Sequence, residues 1–265
     1  MLSKRIISSV LLIIMIVGVI SVDWLCGLVV ILFIAAGLYE FFRMLEKEQI
    51  SNYKYFGMGM GVIIPASIMF RFELTKGWEF LFIILAFLFL ILMQFKRRKH
   101  SGAIIGISTT IFGIIYISWF FSFLIKIRYL EGGLGILASL LLITKSCDIG
   151  AYLIGSRFGK NPLIPRISPH KTIEGAIGGV LFSMLSALAC KPLLNFGYIH
   201  LAVLGIGISI LAQLGDLSES LIKRDCQIKD SGSIFPGMGG VLDQIDSLLF
   251  TAPAFYFYMS VILLK

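Results

Sequence analysis

Residues 78–95 read WEFLFIILAFLFLILMQF, an apolar run broken only by Glu79 near its start and Gln94 near its end. A membrane β-strand alternates polar and apolar residues with a period of two. This run is continuous instead. In lipid, backbone N–H and C=O groups must pair within their own segment, so a helix is the remaining choice. A spanning helix needs roughly 20 apolar residues, with a range of about 17–25, and 78–95 meets that length. Read outward from there, the chain offers nine candidate spans, at about 6–22, 24–40, 56–70, 78–95, 103–125, 134–154, 173–190, 199–215 and 241–263. The third is the weakest, being short and carrying Gly57, Gly59, Gly61 and Pro65. The first begins like a signal peptide, with Lys4 and Arg5 before an apolar run. No small-residue cleavage site precedes Asp23 and Trp24, so a retained first helix is expected.

Composition agrees. The 265 residues are 58% hydrophobic and 14% charged, against about 45–50% and about 25% in soluble domains. A soluble enzyme or a DNA-binding domain is excluded. The net charge of +8 reads as basic loops on one side of a membrane, with no nucleic-acid partner. With the N-terminus inside, 16 Lys and Arg fall in inside segments and six in outside ones, while Lys145 lies within a span. The positive-inside rule then predicts N-terminus in and C-terminus out. The expected fold is an all-α polytopic membrane protein of about nine transmembrane helices. Residues 1–133 form an N-terminal region of about five spans. Residues 134–265 form a C-terminal catalytic region of about four spans with two cytoplasmic loops. Cys26, Cys147, Cys190 and Cys226 lie in or beside apolar runs without C-x-x-C spacing, and read as small core residues.

Polar residues concentrate between Thr144 and Asp246, which hold eight of the fifteen acids. Lys145 and Asp148 lie three apart inside a span and are expected to pair. A charge in a span is a functional candidate by default. The loop GSRFGKNPLIPRISPHKTIEG, 155–175, carries four Lys/Arg and His170. Its hydroxyls and cations, with Ser168, Lys171 and Thr172 just before a helix, suit phosphate. The GSRFGK segment lacks Walker A spacing. On a helix, Asp216, Glu219, Ser220, Lys223 and Arg224 share one face. Carboxylates with oxygen neighbours suit Mg²⁺, which is commonly held by one or two carboxylates plus substrate phosphates. Lys and Arg suit the phosphates themselves. Lys229-Asp230 follows. The turn Pro236-Gly237-Met238-Gly239-Gly240 can bring backbone N–H groups to phosphate oxygens. Asp243 and Asp246 then stand one helical turn apart. His100, His170 and His200 are scattered. The residues alone therefore point to an inside-facing site for Mg²⁺ and a phosphorylated substrate.

The run from Ser220 to Asp246, SLIKRDCQIKDSGSIFPGMGGVLDQID, resembles the phosphatidate cytidylyltransferase family, whose pattern is roughly S-x-φ-K-R-x₄-K-D-x-[GSA]-x₂-φ-P-x-H-G-G-φ-x-D-R-φ-D. Met238 stands where the pattern has His, and Gln244 where it has Arg. D-x-x-A-Y-x-x-G at Asp148–Gly155 and S-P-x-K-T-x-E-G at Ser168–Gly175 are also similar. The resemblance covers 144–246. It implies that CTP and phosphatidate give CDP-diacylglycerol and pyrophosphate, the lipid phosphate attacking the α-phosphate of CTP. It implies Mg²⁺, with K⁺ as a further ion, at Asp216, Ser220, Asp243 and Asp246. Asp243, Asp246, Lys223 and Arg224 are the expected catalytic groups. Lys171, Ser168, Thr172, Lys229, Asp230, Gly239, Gly240 and Asp148 are the expected substrate-binding groups. The resemblance also implies a homodimer, and the chain's compact length points to a bacterial inner membrane with the site facing the cytoplasm. The alternatives are a CTP-dependent enzyme with another lipid acceptor, a degenerate member of the family, and a polytopic transporter.

Overall fold

The structure, a computed structural model, describes residues 18–72, 78–95, 102–235, 237 and 239–263. Its helices are α1 (Asp23–Lys47), α2 (Lys54–Met69), α3 (Trp78–Phe95), α4 (Ala103–Arg128), α5 (Gly133–Phe158), α6 (Ile173–Ala189), the short α7 (Lys191–Leu194), α8 (Tyr198–Asp225) and α9 (Leu242–Leu263). Between α5 and α6, strands β1 (Pro162–Ile164) and β2 (Ser168–Thr172) form an antiparallel ribbon, with Pro162 opposite Thr172 and Ile164 opposite Ser168.

Among the described residues, six helices are long and apolar enough to cross a membrane: α1, α3, α4, α5, α8 and α9. α2, with 16 residues, and α6, with 17, are apolar but shorter. At 1.5 Å per residue they measure about 24 and about 26 Å, against a hydrocarbon core of about 30 Å. The run at 6–22, the retained first helix, lies almost wholly outside the described residues. Of the nine expected spans, six therefore have spanning length and two are shorter helices.

α3 shows why such a run must meet lipid. Phe80, Leu81, Ile84, Leu85, Phe87, Leu88, Phe89 and Leu92 are all exposed, and only Trp78, Ala86 and Leu90 are buried. The weak third run folds because its small residues admit neighbours. Gly61 packs on Leu38, and its carbonyl accepts from Ser118 Oγ at 2.5 Å. α4 carries a π-helical stretch over Ile114–Trp119, which buries Tyr116. The four cysteines are free and buried, as expected of core residues.

The C-terminal helices pack through small residues, which let helix backbones approach closely in lipid. At Gly150 an added Cβ would meet the Gly178 carbonyl at 2.8 Å, and at Gly178 it would meet the Gly150 carbonyl at 2.9 Å. This seam joins α5 to α6. At Gly215 an added Cβ would run into the Asp246 carbonyl and lie 3.4 Å from Ser247 Cα, so α8 meets the second turn of α9 backbone to backbone. The result gathers the C-terminal parts of α5 and α8, the start of α9 and ribbon strand β2 at one end of the helix bundle.

Candidate functional site

A cavity of about 690 Å³ opens at that end. Its walls include Asp148, Ser168, Lys171, Thr172, Asp216, Asp243 and Asp246 from the expected set, together with Lys145, His170, Gln213 and Gln244. Four separate segments thus deliver the polar groups to one space.

α5 contributes the expected pair. Lys145 Nζ lies 3.1 Å from Asp148 Oδ2. It also donates to the Gln244 carbonyl at 3.1 Å and the Ser247 Oγ at 3.3 Å, while Ser247 Oγ donates to Asp148 Oδ2 at 3.2 Å. One lysine therefore ties α5 to the first two turns of α9. That explains a charge inside an apolar helix, since its bonds to neighbours offset part of the cost of taking it out of water.

β2 brings Lys171 over α8. Its Nζ lies 2.6 Å from Asp216 Oδ1 and donates to Ser220 Oγ at 3.4 Å. Thr172 caps α6, its hydroxyl accepting from the Gly175 N–H at 3.1 Å. Glu174 holds the ribbon to α6 by accepting from the Lys160 N–H at 3.1 Å and the Asn161 Nδ2 at 2.8 Å. The ribbon is thus anchored by caps and clamps, which matter because a two-stranded ribbon alone is marginally stable.

On α8 the five polar residues divide. Asp216 faces the cavity, and Ser220 lies beside it against Lys171. Glu219 is fully buried. It pairs with Lys223, and among the described residues its oxygens take no other partner. Lys223 Nζ also lies 2.5 Å from Asp243 Oδ1. Arg224 turns away and donates to the carbonyls of Ile167 at 3.0 Å and Ile228 at 3.3 Å, holding the ribbon and the following loop to the helix end. Lys229 and Asp230 are exposed and stand apart from the cavity walls.

Asp243 is fully engaged. Besides Lys223, it accepts at Oδ2 from the N–H of Ser231 at 3.0 Å and of Gly240 at 2.7 Å, with Ser231 Oγ at 2.9 Å. The N–H of Gly240 thus points at Asp243. Gly239 takes φ +89°, a left-handed conformation that glycine adopts without strain. Met238 lies outside the described residues. Asp246 is buried at the cavity wall, its Oδ1 accepting from the Ser247 N–H at 2.6 Å.

Three further groups lie outside the expected set of site residues. Among the described residues, Tyr116 Oη and Thr144 Oγ1 are buried without hydrogen-bond partners. Tyr116 sits on the π-helical turn of α4, and such turns are frequent at functional sites. A third is Glu40 of α1, which accepts from the N–H groups at the start of α9. Nothing in the apolar pattern of α1 signals that contact.

A hard divalent cation takes oxygen donors that approach one point. Among the described residues no group of three or more His, Cys, Asp or Glu side chains converges on one point. Asp216 and Asp246 nevertheless offer carboxylate oxygens to one cavity, with Ser220 beside Asp216. That suits an ion held by one or two carboxylates and completed by substrate phosphates and water.

The sequence matches the cytidylyltransferase family over residues 3–262. It is 33% identical over 229 residues to a phosphatidate cytidylyltransferase of Bacillus subtilis, covering 85% of each chain. It is 31% identical over 269 residues to a phosphatidate cytidylyltransferase of Synechocystis, covering 91% of this chain and 90% of the relative. To one of Staphylococcus aureus it is 37% identical over 172 residues, 64% of this chain and 65% of the relative. With a family match spanning nearly the whole chain and relatives aligned across most of their length, this protein belongs to the cytidylyltransferase family.

Proposed function

We propose that this protein is an integral membrane enzyme of phospholipid biosynthesis that transfers a cytidylyl group from CTP to phosphatidate. An oxygen of the lipid phosphate forms the new bond to the α-phosphorus of CTP. The bond from that phosphorus to the bridging oxygen of the β-phosphate breaks, and pyrophosphate leaves. The observation that carries the reading is the cavity itself, where Lys171 and Lys145 stand beside Asp148, Asp216 and Asp246 at one end of a lipid-exposed helix bundle. Family membership supplies the reaction class.

The chemistry asks little covalent help from the protein. A phosphate monoester is largely ionised near neutral pH, so the nucleophile needs no base. The obstacle is the approach of two anions, and phosphoryl-type transfer is helped chiefly by positioning and charge neutralisation. Lys171 reaches the cavity from the ribbon and can exchange its contact with Asp216 for a phosphate oxygen. Lys223 holds Asp243 in place, and Lys145 fixes the start of α9. Arg224 keeps the ribbon seated, so its part is positional. Asp216, Asp246 and Ser220 are the residues that would hold Mg²⁺, with Asp243 joining them once freed from Lys223, and K⁺ would be a second ion there. When bound, the metal supplies positive charge against the triphosphate.

The excess of Lys and Arg in alternate loops supports a site facing the cytoplasm, where CTP is made, with N-terminus in and C-terminus out. A bacterial inner membrane and a homodimer complete the reading. A different lipid acceptor is a second reading, favoured by Gln244, a neutral side chain on the cavity wall where the family pattern has a cation.

The deciding experiment incubates purified protein with labelled CTP, Mg²⁺ and phosphatidate and follows label into the lipid phase. Label that requires both phosphatidate and Mg²⁺ establishes the reaction. Label that appears only with another lipid establishes the second reading.

A further inference from the structure

Glu40 lies on α1, far from the C-terminal region in sequence, yet it is only 3% exposed and faces the start of α9. Its Oε1 accepts from the Val241 N–H at 3.0 Å, and its Oε2 from the Leu242 N–H at 2.9 Å. Ser231 Oγ stands 3.0 Å from Glu40 Oε2 and 2.9 Å from Asp243 Oδ2. No cation pairs with Glu40 among the described residues. The carboxylate therefore caps α9 from another helix. It satisfies N–H groups that the first turn leaves open, and it places negative charge at the positive end of the helix dipole.

The surroundings are shaped for this carboxylate. An added Cβ at Gly232 would lie 2.8 Å from Glu40 Cδ, and one at Gly240 would run into both Glu40 oxygens. The two glycines thus admit Glu40 between the strand of chain at 231–232 and the turn at 239–240. Ser231 then passes the constraint on. Its hydroxyl bridges Glu40 to Asp243, and its N–H holds Asp243 Oδ2 at 3.0 Å. One hydroxyl proton serves two carboxylates, so moving Glu40 changes how Asp243 is held.

We infer that Glu40 is a positioning residue for cytidylyl transfer: through the start of α9 and through Ser231 it sets the orientation of the Asp243 carboxylate beside the cavity. This rests on the function proposed above. It assigns a part in catalysis to the N-terminal helices, outside the 134–265 region in which the sequence places the site.

The test compares wild type with Glu40→Gln and Ser231→Ala, each purified in detergent. Three quantities are read: thermal stability, the stoichiometry of CTP binding in the presence of Mg²⁺, and kcat and KM for phosphatidate per CTP-binding site. Positioning predicts that Ser231→Ala, which leaves both backbone bonds to Glu40 intact, keeps the binding stoichiometry, the melting temperature and the KM for phosphatidate. Its kcat falls by about 10-fold. Glu40→Gln loses about 10- to 100-fold in kcat per binding site, the scale set by small misplacements of reacting groups. Should Glu40→Gln not fold, Ser231→Ala decides alone. Wild-type kcat per binding site in Ser231→Ala overturns the inference, as does a Glu40→Gln protein that loses only stability. An inactive wild type that still binds CTP would instead overturn the proposed reaction.

Discussion

Lys223 Nζ stands 2.5 Å from Asp243 Oδ1 on α9 and pairs within α8 with Glu219, whose side chain is wholly buried. One ammonium thus answers two carboxylates from two helices. Removing one partner of a buried ion pair costs about 3–5 kcal/mol, because the other charge is left uncompensated. Lys223→Ala is therefore expected to lower the melting temperature by several degrees and to abolish labelled-lipid formation. Adding Glu219→Gln should restore most of the stability and none of the activity. Thermal unfolding of the single and double variants checks the first part. Recovery of activity in the double variant would remove Lys223 from the reaction.

Lys171 and Asp216 make a different kind of pair. Their side chains are 28% and 36% exposed, and exposed pairs contribute about 0–1 kcal/mol. Lys171→Ala should leave thermal stability nearly unchanged while raising the KM for CTP by about 10-fold, the loss of one charge-assisted contact to phosphate. Steady-state kinetics over a CTP series measures this. An unchanged KM would show that Lys171 serves only to seat the ribbon.

Asp246→Asn should abolish turnover at every Mg²⁺ concentration, and chelation of divalent metal should do the same to the wild type. The readout is lipid-phase label across a Mg²⁺ titration, with a folding control by thermal shift. Near-normal activity of Asp246→Asn at low Mg²⁺ would contradict the assignment of that carboxylate to the metal.

Gly215→Ala tests the meeting of α8 and α9. The added methyl would run into the backbone carbonyl oxygen of Asp246, and overpacking of this kind typically costs about 1–3 kcal/mol. The helices must separate, carrying Asp216 away from Asp246. A melting temperature lowered by a few degrees with a larger loss of kcat is expected. Equal activity per folded molecule would show that the approach is not needed for catalysis.

Gln244→Arg restores the cation of the family pattern at the cavity wall. If phosphatidate is the acceptor, kcat/KM for it should stay level or rise, and Asp243 and Asp246 should remain essential. A gain for phosphatidate accompanied by loss of another lipid substrate would favour the second reading.

Much of this architecture was legible in residue order, because lipid leaves a long apolar run little freedom. The α3 run alone excluded alternating strands, and the structure returns it as a helix with most of its large side chains outward. The Lys145–Asp148 pair followed from helical spacing. Span count was less legible. α2 and α6 are apolar but short, and hydropathy does not say whether a short helix crosses. The ribbon was hidden by its three prolines, which suggest a stiff loop and not a pairing of strands. The site was half legible. Asp216, Lys171 and Asp246 meet in one cavity, whereas Arg224 shares their helical face in projection but is drawn off by the carbonyls of Ile167 and Ile228. Glu40 was invisible, since no local period relates it to residues some 200 positions away.

That separation bears on how the protein is made. Leu242, which Glu40 binds, follows it by 202 residues. During synthesis α1 enters the bilayer long before its partner exists. Glu40 is therefore without its partners until α9 arrives to dock. The step that ends this wait also closes the turn beside Asp243, so maturation of the nascent chain and onset of competence are one event.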